Sequence, residues 1–77
     1  MYTLHMAAKI VKNRVRELRS TSGLTQEQLA ELVGVARQSI ISIEKGHFLP
    51  TIETALRLSA ALQVPVERLF WIEEYNT

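Results

Sequence analysis

The sequence predicts an all-α domain of five short helices, with two terminal segments suited to a small two-stranded antiparallel sheet. Three observations predict it. Apolar residues recur at helical spacing through most of the chain, which makes helices its main element. Helix start and stop signals divide that pattern: TQEQ at Thr25–Gln28, Thr51 after Pro50, and glycines at 23, 34 and 46. Lastly, KIVK (9–12) and LFWIEEY (69–75) are rich in the β-branched and aromatic residues that favour strands, and the second alternates in character.

Taken in order, the first nine residues, MYTLHMAAK, carry no helix signal and read as a flexible arm; residues 10–77 form one domain. Helix 1 is expected from about Asn13 to Ser22, with Val11, Val15 and Leu18 facing inward and Gly23 as its stop. Helix 2 follows Thr25. The Thr25 hydroxyl can accept from the Gln28 N–H while the Gln28 side chain reaches back, a capping box, and Leu24 with Leu29 forms a staple across it. Glu27 sits in the first turn, where the helix dipole favours an anion. Leu29, Ala30 and Val33 make the inner face, and Ala30 is small where the next helix must approach closely.

Gly34 ends helix 2 because the turn there calls for a positive φ. Helix 3 has Val35 and Ile40 as its staple, Ile40 and Ile43 as its inward stripe, and Lys45–Gly46 as its end. HFLP (47–50) is a loop. Helix 4 starts at the Thr51 cap and is expected to bury Ile52, Ala55, Leu58, Ser59 and Leu62; Gln63 occupies the terminating position. Helix 5 is short, about Val66 to Phe70, with Val64 and Leu69 as its staple.

Composition limits function. A chain of 77 residues forms one small core that is marginal alone. It has no cysteine and no aspartate, and only two histidines, His5 and His47. Disulfides, thiolate nucleophiles and cysteine-ligated zinc are therefore out, and neither a metal site nor a cofactor is expected. No P-loop, GxGxxG or HExxH pattern is present, so the chain is not expected to be an enzyme. No apolar run approaches the roughly 20 residues that span a membrane. MYTLHMAAK lacks the apolar core of a signal peptide, and a cytoplasmic location is expected. Net charge is only +1, yet five of nine basic residues (Lys9, Lys12, Arg14, Arg16, Arg19) fall in the first 19 positions, against Glu17 alone. Such asymmetry gives one face a positive field suited to phosphates.

Function is written most clearly in residues 25–46, TQEQLAELVGVARQSIISIEKG: two capped helices joined by a tight glycine turn, the second with a free outer face. That arrangement presents a helix to the major groove of DNA. At about 100° per residue, Arg37, Gln38, Ile41, Ser42 and Lys45 point away from the Ile40–Ile43 stripe. Arginine pairs bidentately with guanine and glutamine with adenine, and both stand in the first turn, which reaches base edges.

Leu29, Ala30, Val33, Gly34, Val35, Ile40 and Ile43 resemble the helix-turn-helix of the Cro/cI-type (Xre) prokaryotic and phage repressors, which have a five-helix, lambda-repressor-like domain. The resemblance runs from Asn13, through NRVRELRSTSGLTQ, to PTIETALRLSAALQVPVERLF at Phe70. It implies a sequence-specific regulator of transcription that binds double-stranded DNA, a repressor acting as a homodimer on a palindromic operator. Arg37, Gln38 and Ser42 match the family's base-reading positions. Gln26 matches a glutamine that holds the DNA backbone and supports the first reading side chain. Arg14, Arg16, Lys45 and His47 are candidates for phosphate contact at the rims.

The family also pairs an arginine late in helix 1 with a glutamate late in helix 3, here Arg19 and Glu44, as a scaffold. Ala36 departs from the usual Ser or Thr cap, and Ile41 from a usually polar position; both side chains suit a thymine methyl. Phe48, Leu49, Val66, Leu69 and Phe70 are the expected two-fold interface. Two other readings stand beside the repressor: an antitoxin whose main partner is a toxin protein, and a restriction–modification controller protein.

Overall fold

In the computed structural model, residues 8–75 are described, with side chains for residues 10–74. The order is β1 (Ala8–Asn13), α1 (Val15–Thr21), α2 (Gln26–Val33), α3 (Arg37–Glu44), α4 (Ile52–Leu62), α5 (Val66–Leu69) and β2 (Phe70–Tyr75). All five helices and both terminal strands expected from the sequence are present. The strands pair antiparallel, from Ala8 opposite Tyr75 to Asn13 opposite Phe70. Of the expected arm, residues 1–7 lie outside the described residues, while the backbone of Ala8 and Lys9 belongs to β1.

Local chemistry sets the boundaries. The capping box forms: Thr25 Oγ1 accepts from the Gln28 N–H at 3.0 Å and Gln28 Oε1 from the Thr25 N–H at 2.9 Å. Thr51 Oγ1 accepts from the Thr54 N–H at 3.1 Å and starts α4. Helix α4 ends at Gln63 in the left-handed region (φ 58°, ψ 43°), a conformation that costs a residue with a Cβ. The following Val64 N–H donates to the Ser59 carbonyl at 3.1 Å, and Ser59 Oγ donates to the Val64 carbonyl.

The core is Val15, Leu29, Ala30, Val33, Ile40, Ile43, Leu58, Leu62 and Leu69, drawn from all five helices. Leu18, Leu24, Val35, Ala61, Val64 and Phe70 pack around it. Complete burial of an aliphatic side chain of this size contributes about 1.5–3 kcal/mol, so the staple residues and the core together fix how α2 crosses α3.

Three expectations change. Helix α1 starts at Val15 rather than Asn13, because Asn13 belongs to β1 and folds its side chain back onto the Val15 N–H. Phe70 opens β2 instead of closing α5. Ile52 is 79% exposed rather than buried. It is the first residue of α4, and the first turn there faces solvent on the side away from the fully buried Leu58.

Candidate nucleic-acid interface

The turn between α2 and α3 sets the site. Gly34 has φ 82°, and its N–H donates to the Ala30 carbonyl at 2.8 Å, with the Val35 N–H following at 3.0 Å. A Cβ on Gly34 would stand 3.2 Å from Arg57 Nη1, which itself donates to the Val33 carbonyl. The backbone conformation is what calls for glycine there, and the tip of Arg57 packs close above it. Ala36 then enters α3 with an extended backbone and no side-chain cap, as its methyl dictates.

Helix α3 buries Ile40 and Ile43, which leaves Arg37 and Gln38 exposed and Ile41 and Ser42 half-buried on the other side. A chain of polar contacts runs to this face from the scaffold. Arg19 donates through Nε to Glu44 Oε2 at 2.6 Å and through Nη2 to Oε1 at 3.3 Å. Its Nη1 donates to the Leu24 carbonyl at 2.8 Å. Gln26 Nε2 donates to Glu44 Oε1 at 3.1 Å, and Gln26 Oε1 accepts from Arg37 Nη2 at 3.4 Å.

The side chain of Glu44 is 4% exposed and that of Arg19 13%, so the ion pair is largely shielded and its charges are matched by hydrogen bonds. The outcome is geometric. One amide, Gln26, is anchored to the scaffold by its nitrogen and holds Arg37 with its oxygen. Further along, Gln38 Nε2 donates to Ser42 Oγ at 3.4 Å, so these two expected base-reading residues touch each other.

The basic residues divide. Arg16, Gln26, Ile41 and Lys45 line one groove beside α3. His47 lies with Gln38, Ser42 and Phe48 in a second depression. Arg14 does not join them: its guanidinium stands 5.2 Å from the centroid of the Trp71 ring, a cation–π contact next to Glu67 and Arg68. Arg14 is exposed and stacks on the aromatic ring of β2, apart from these two grooves, with its N–H donors still open to solvent.

The residues expected at a two-fold interface also separate. Leu69 is fully buried in the monomer core and offers no free apolar surface, while Phe70 packs against that core and is half-buried. Phe48 is half exposed beside Ser42, Leu49 lies beside Ile10 and Val11 of β1, and Val66 is half-buried on α5.

One residue of the site was missed in the sequence. Asn13 Oδ1 accepts from the Val15 N–H at 3.0 Å, and Asn13 Nδ2 donates to the Ile43 carbonyl at 3.0 Å. It starts α1 and ties β1 to the last turn of α3 at once. An asparagine two positions before a helix's first buried residue signals the first bond, an Asx turn. No sequence pattern signals the second, which spans 30 positions.

A helix-turn-helix with an exposed outer helix face, held by a largely shielded ion pair, defines a DNA-binding regulator. The chain belongs to the helix-turn-helix family HTH_3, of the Xre/Cro–cI type, which matches residues 15–69. It is a transcriptional regulator with a helix-turn-helix DNA-binding domain. The HTH-type transcriptional regulator YgzD of Bacillus subtilis is 46% identical over 66 residues, 86% of this chain and 100% of that protein. A CTXphi transcriptional repressor, RstR of Vibrio cholerae, is 33% identical over 64 residues, 83% of this chain and 58% of RstR. Among solved structures, the restriction–modification controller protein C.AhdI from Aeromonas hydrophila aligns with a TM-score of 0.68 at 36% identity, over 71% of this chain and 83% of that one.

Proposed function

We propose that this protein is a cytoplasmic repressor that binds a palindromic operator as a homodimer, with residues 10–77 as its single DNA-binding domain. The observation that carries the reading is Arg37, exposed in the first turn of α3 and held by Gln26, which is itself anchored on the buried Glu44. A pre-positioned guanidinium loses less side-chain entropy on meeting a guanine edge. In this reading Arg37, Gln38 and Ser42 read bases, and Ile41 and Ala36 meet thymine methyls. Gln26, Arg14, Arg16, Lys45 and His47 hold phosphates.

Exposed Phe48 and Leu49, with half-buried Val66 and Phe70, supply the two-fold contact. Paired copies would place their α3 helices about one turn, ~34 Å, apart on DNA. Similarity to the CTXphi repressor supports the sign of regulation. The likeness to C.AhdI supports a second reading, a controller that activates as well as represses.

The test is binding to the DNA upstream of the protein's own gene, against a scrambled duplex, for wild type, Arg37→Ala and Gln38→Ala. Each substitution should reduce discrimination by about 1–3 kcal/mol per lost contact. Full sequence preference in both variants would overturn the assignment of the reading face. A promoter–reporter fusion separates the two readings by the direction in which expression moves.

A further inference from the structure

We infer that the DNA-contacting surface continues past the helix-turn-helix onto β1, where Lys12 is a phosphate-binding residue next to Lys45. This rests on the DNA-binding reading above and extends its footprint. Lys45, at the end of α3, lines two adjoining grooves: one with Arg16, Gln26 and Ile41, the other with Ile10, Lys12, Asn13 and Leu49. The second groove lies between β1 and the last turn of α3. Asn13 fixes its width by donating to the Ile43 carbonyl.

Charge favours an anion there. Lys12 and Lys45 are both exposed, and among the described residues neither has a carboxylate within ion-pair distance. The one acidic residue lining the groove, Glu44, is 4% exposed and has both oxygens committed to Arg19 and Gln26. Its charge is thus matched from within. Arg16, Lys45 and Lys12 form a basic line past the C-terminal end of α3. With the first turn of a recognition helix at the bases, that end meets the groove's rim, where the phosphates lie. A two-stranded ribbon brought there carries its lysine to the sugar–phosphate backbone, with no base edge in reach.

The contact predicts a sequence-independent, salt-dependent contribution. Binding of wild type, Lys12→Gln and Lys12→Arg is measured by fluorescence anisotropy from about 50 to 200 mM salt, on the upstream duplex and on a scrambled duplex of equal length. Lys12→Gln should lower the slope of log K against log salt by about 0.9 on both duplexes, leaving their affinity ratio unchanged. Lys12→Arg should keep the wild-type slope. Since Lys12 is an exposed strand residue, melting curves of all three should coincide. An unchanged slope in Lys12→Gln, or a change in the affinity ratio, overturns the inference. Arg37→Ala in the same series reports on the parent reading alone: if it keeps full preference, the reading face has failed whatever Lys12 does.

Discussion

Replacing Glu44 with alanine tests whether the Arg19–Glu44 pair is the scaffold that holds α3 in place. The substitution removes three hydrogen bonds, two from Arg19 and one from Gln26, from a carboxylate whose side chain is 4% exposed. Breaking a buried pair by deleting one partner costs about 3–5 kcal/mol, because a charge stays behind without its counterion. Arg19 here keeps its bond to the Leu24 carbonyl and is 13% exposed, which places the expected loss near the lower end, about 3 kcal/mol. A domain of this size has a total stability of about 4–12 kcal/mol. The loss is therefore a large share, and the melting temperature should fall by roughly 12–24 °C.

Urea denaturation followed by circular dichroism measures it, in a cycle of Arg19→Met, Glu44→Leu and the double variant. The double variant should be more stable than Arg19→Met or Glu44→Leu alone, since no orphaned charge remains. A loss below about 1 kcal/mol in Glu44→Ala, or an additive cycle, would refute the reasoning, for both would mean that the pair behaves as a solvated surface contact.

Two further substitutions probe the frame around the site. Gln63→Gly should stabilise the protein by about 0.5–1 kcal/mol, because relief of a left-handed residue, about 1–2 kcal/mol, exceeds the added chain entropy; calorimetry should show a rise of several degrees, and a lowered melting temperature would contradict it. Asn13→Ala leaves the Val15 N–H without its partner and the Ile43 carbonyl with the Gly46 N–H alone, and should cost about 1–2 kcal/mol in urea titration, with faster amide exchange in the last turn of α3; unchanged exchange there would show that β1 does not hold that helix.

The local signals of the fold were legible in the sequence. Thr25 with Gln28, Gly34 and Thr51 each state a backbone requirement that a few neighbouring residues satisfy, and each formed as read. So did the pairing of KIVK with the chain's last segment, since both are strand-formers at opposite ends of a helical chain. What failed depends on partners distant in sequence. Ile52 fits an inward stripe at helical spacing, but spacing cannot say how far the neighbouring helices extend, and they leave its turn uncovered. Leu69 reads both as the staple of helix 5 and as part of a two-fold interface; the single turn of α5 places it fully in the core, which leaves only the first role. The contact of Arg14 with Trp71, from the other end of the chain, is likewise announced by nothing local.

The sheet has a consequence for the order in which the molecule is made. Its two strands are among the first and last described segments of the chain, and β2 is synthesised after all five described helices. Closing so long a loop is entropically costly and comes late in folding. Until β2 arrives, β1 has no strand partner, and the Asn13 bond to the end of α3 lacks the frame that fixes it. A nascent chain therefore carries the complete helix-turn-helix before it carries the clasp that sets the far end of its recognition helix. Translation that stops short of β2 should yield a protein with the right reading residues on a loosened helix.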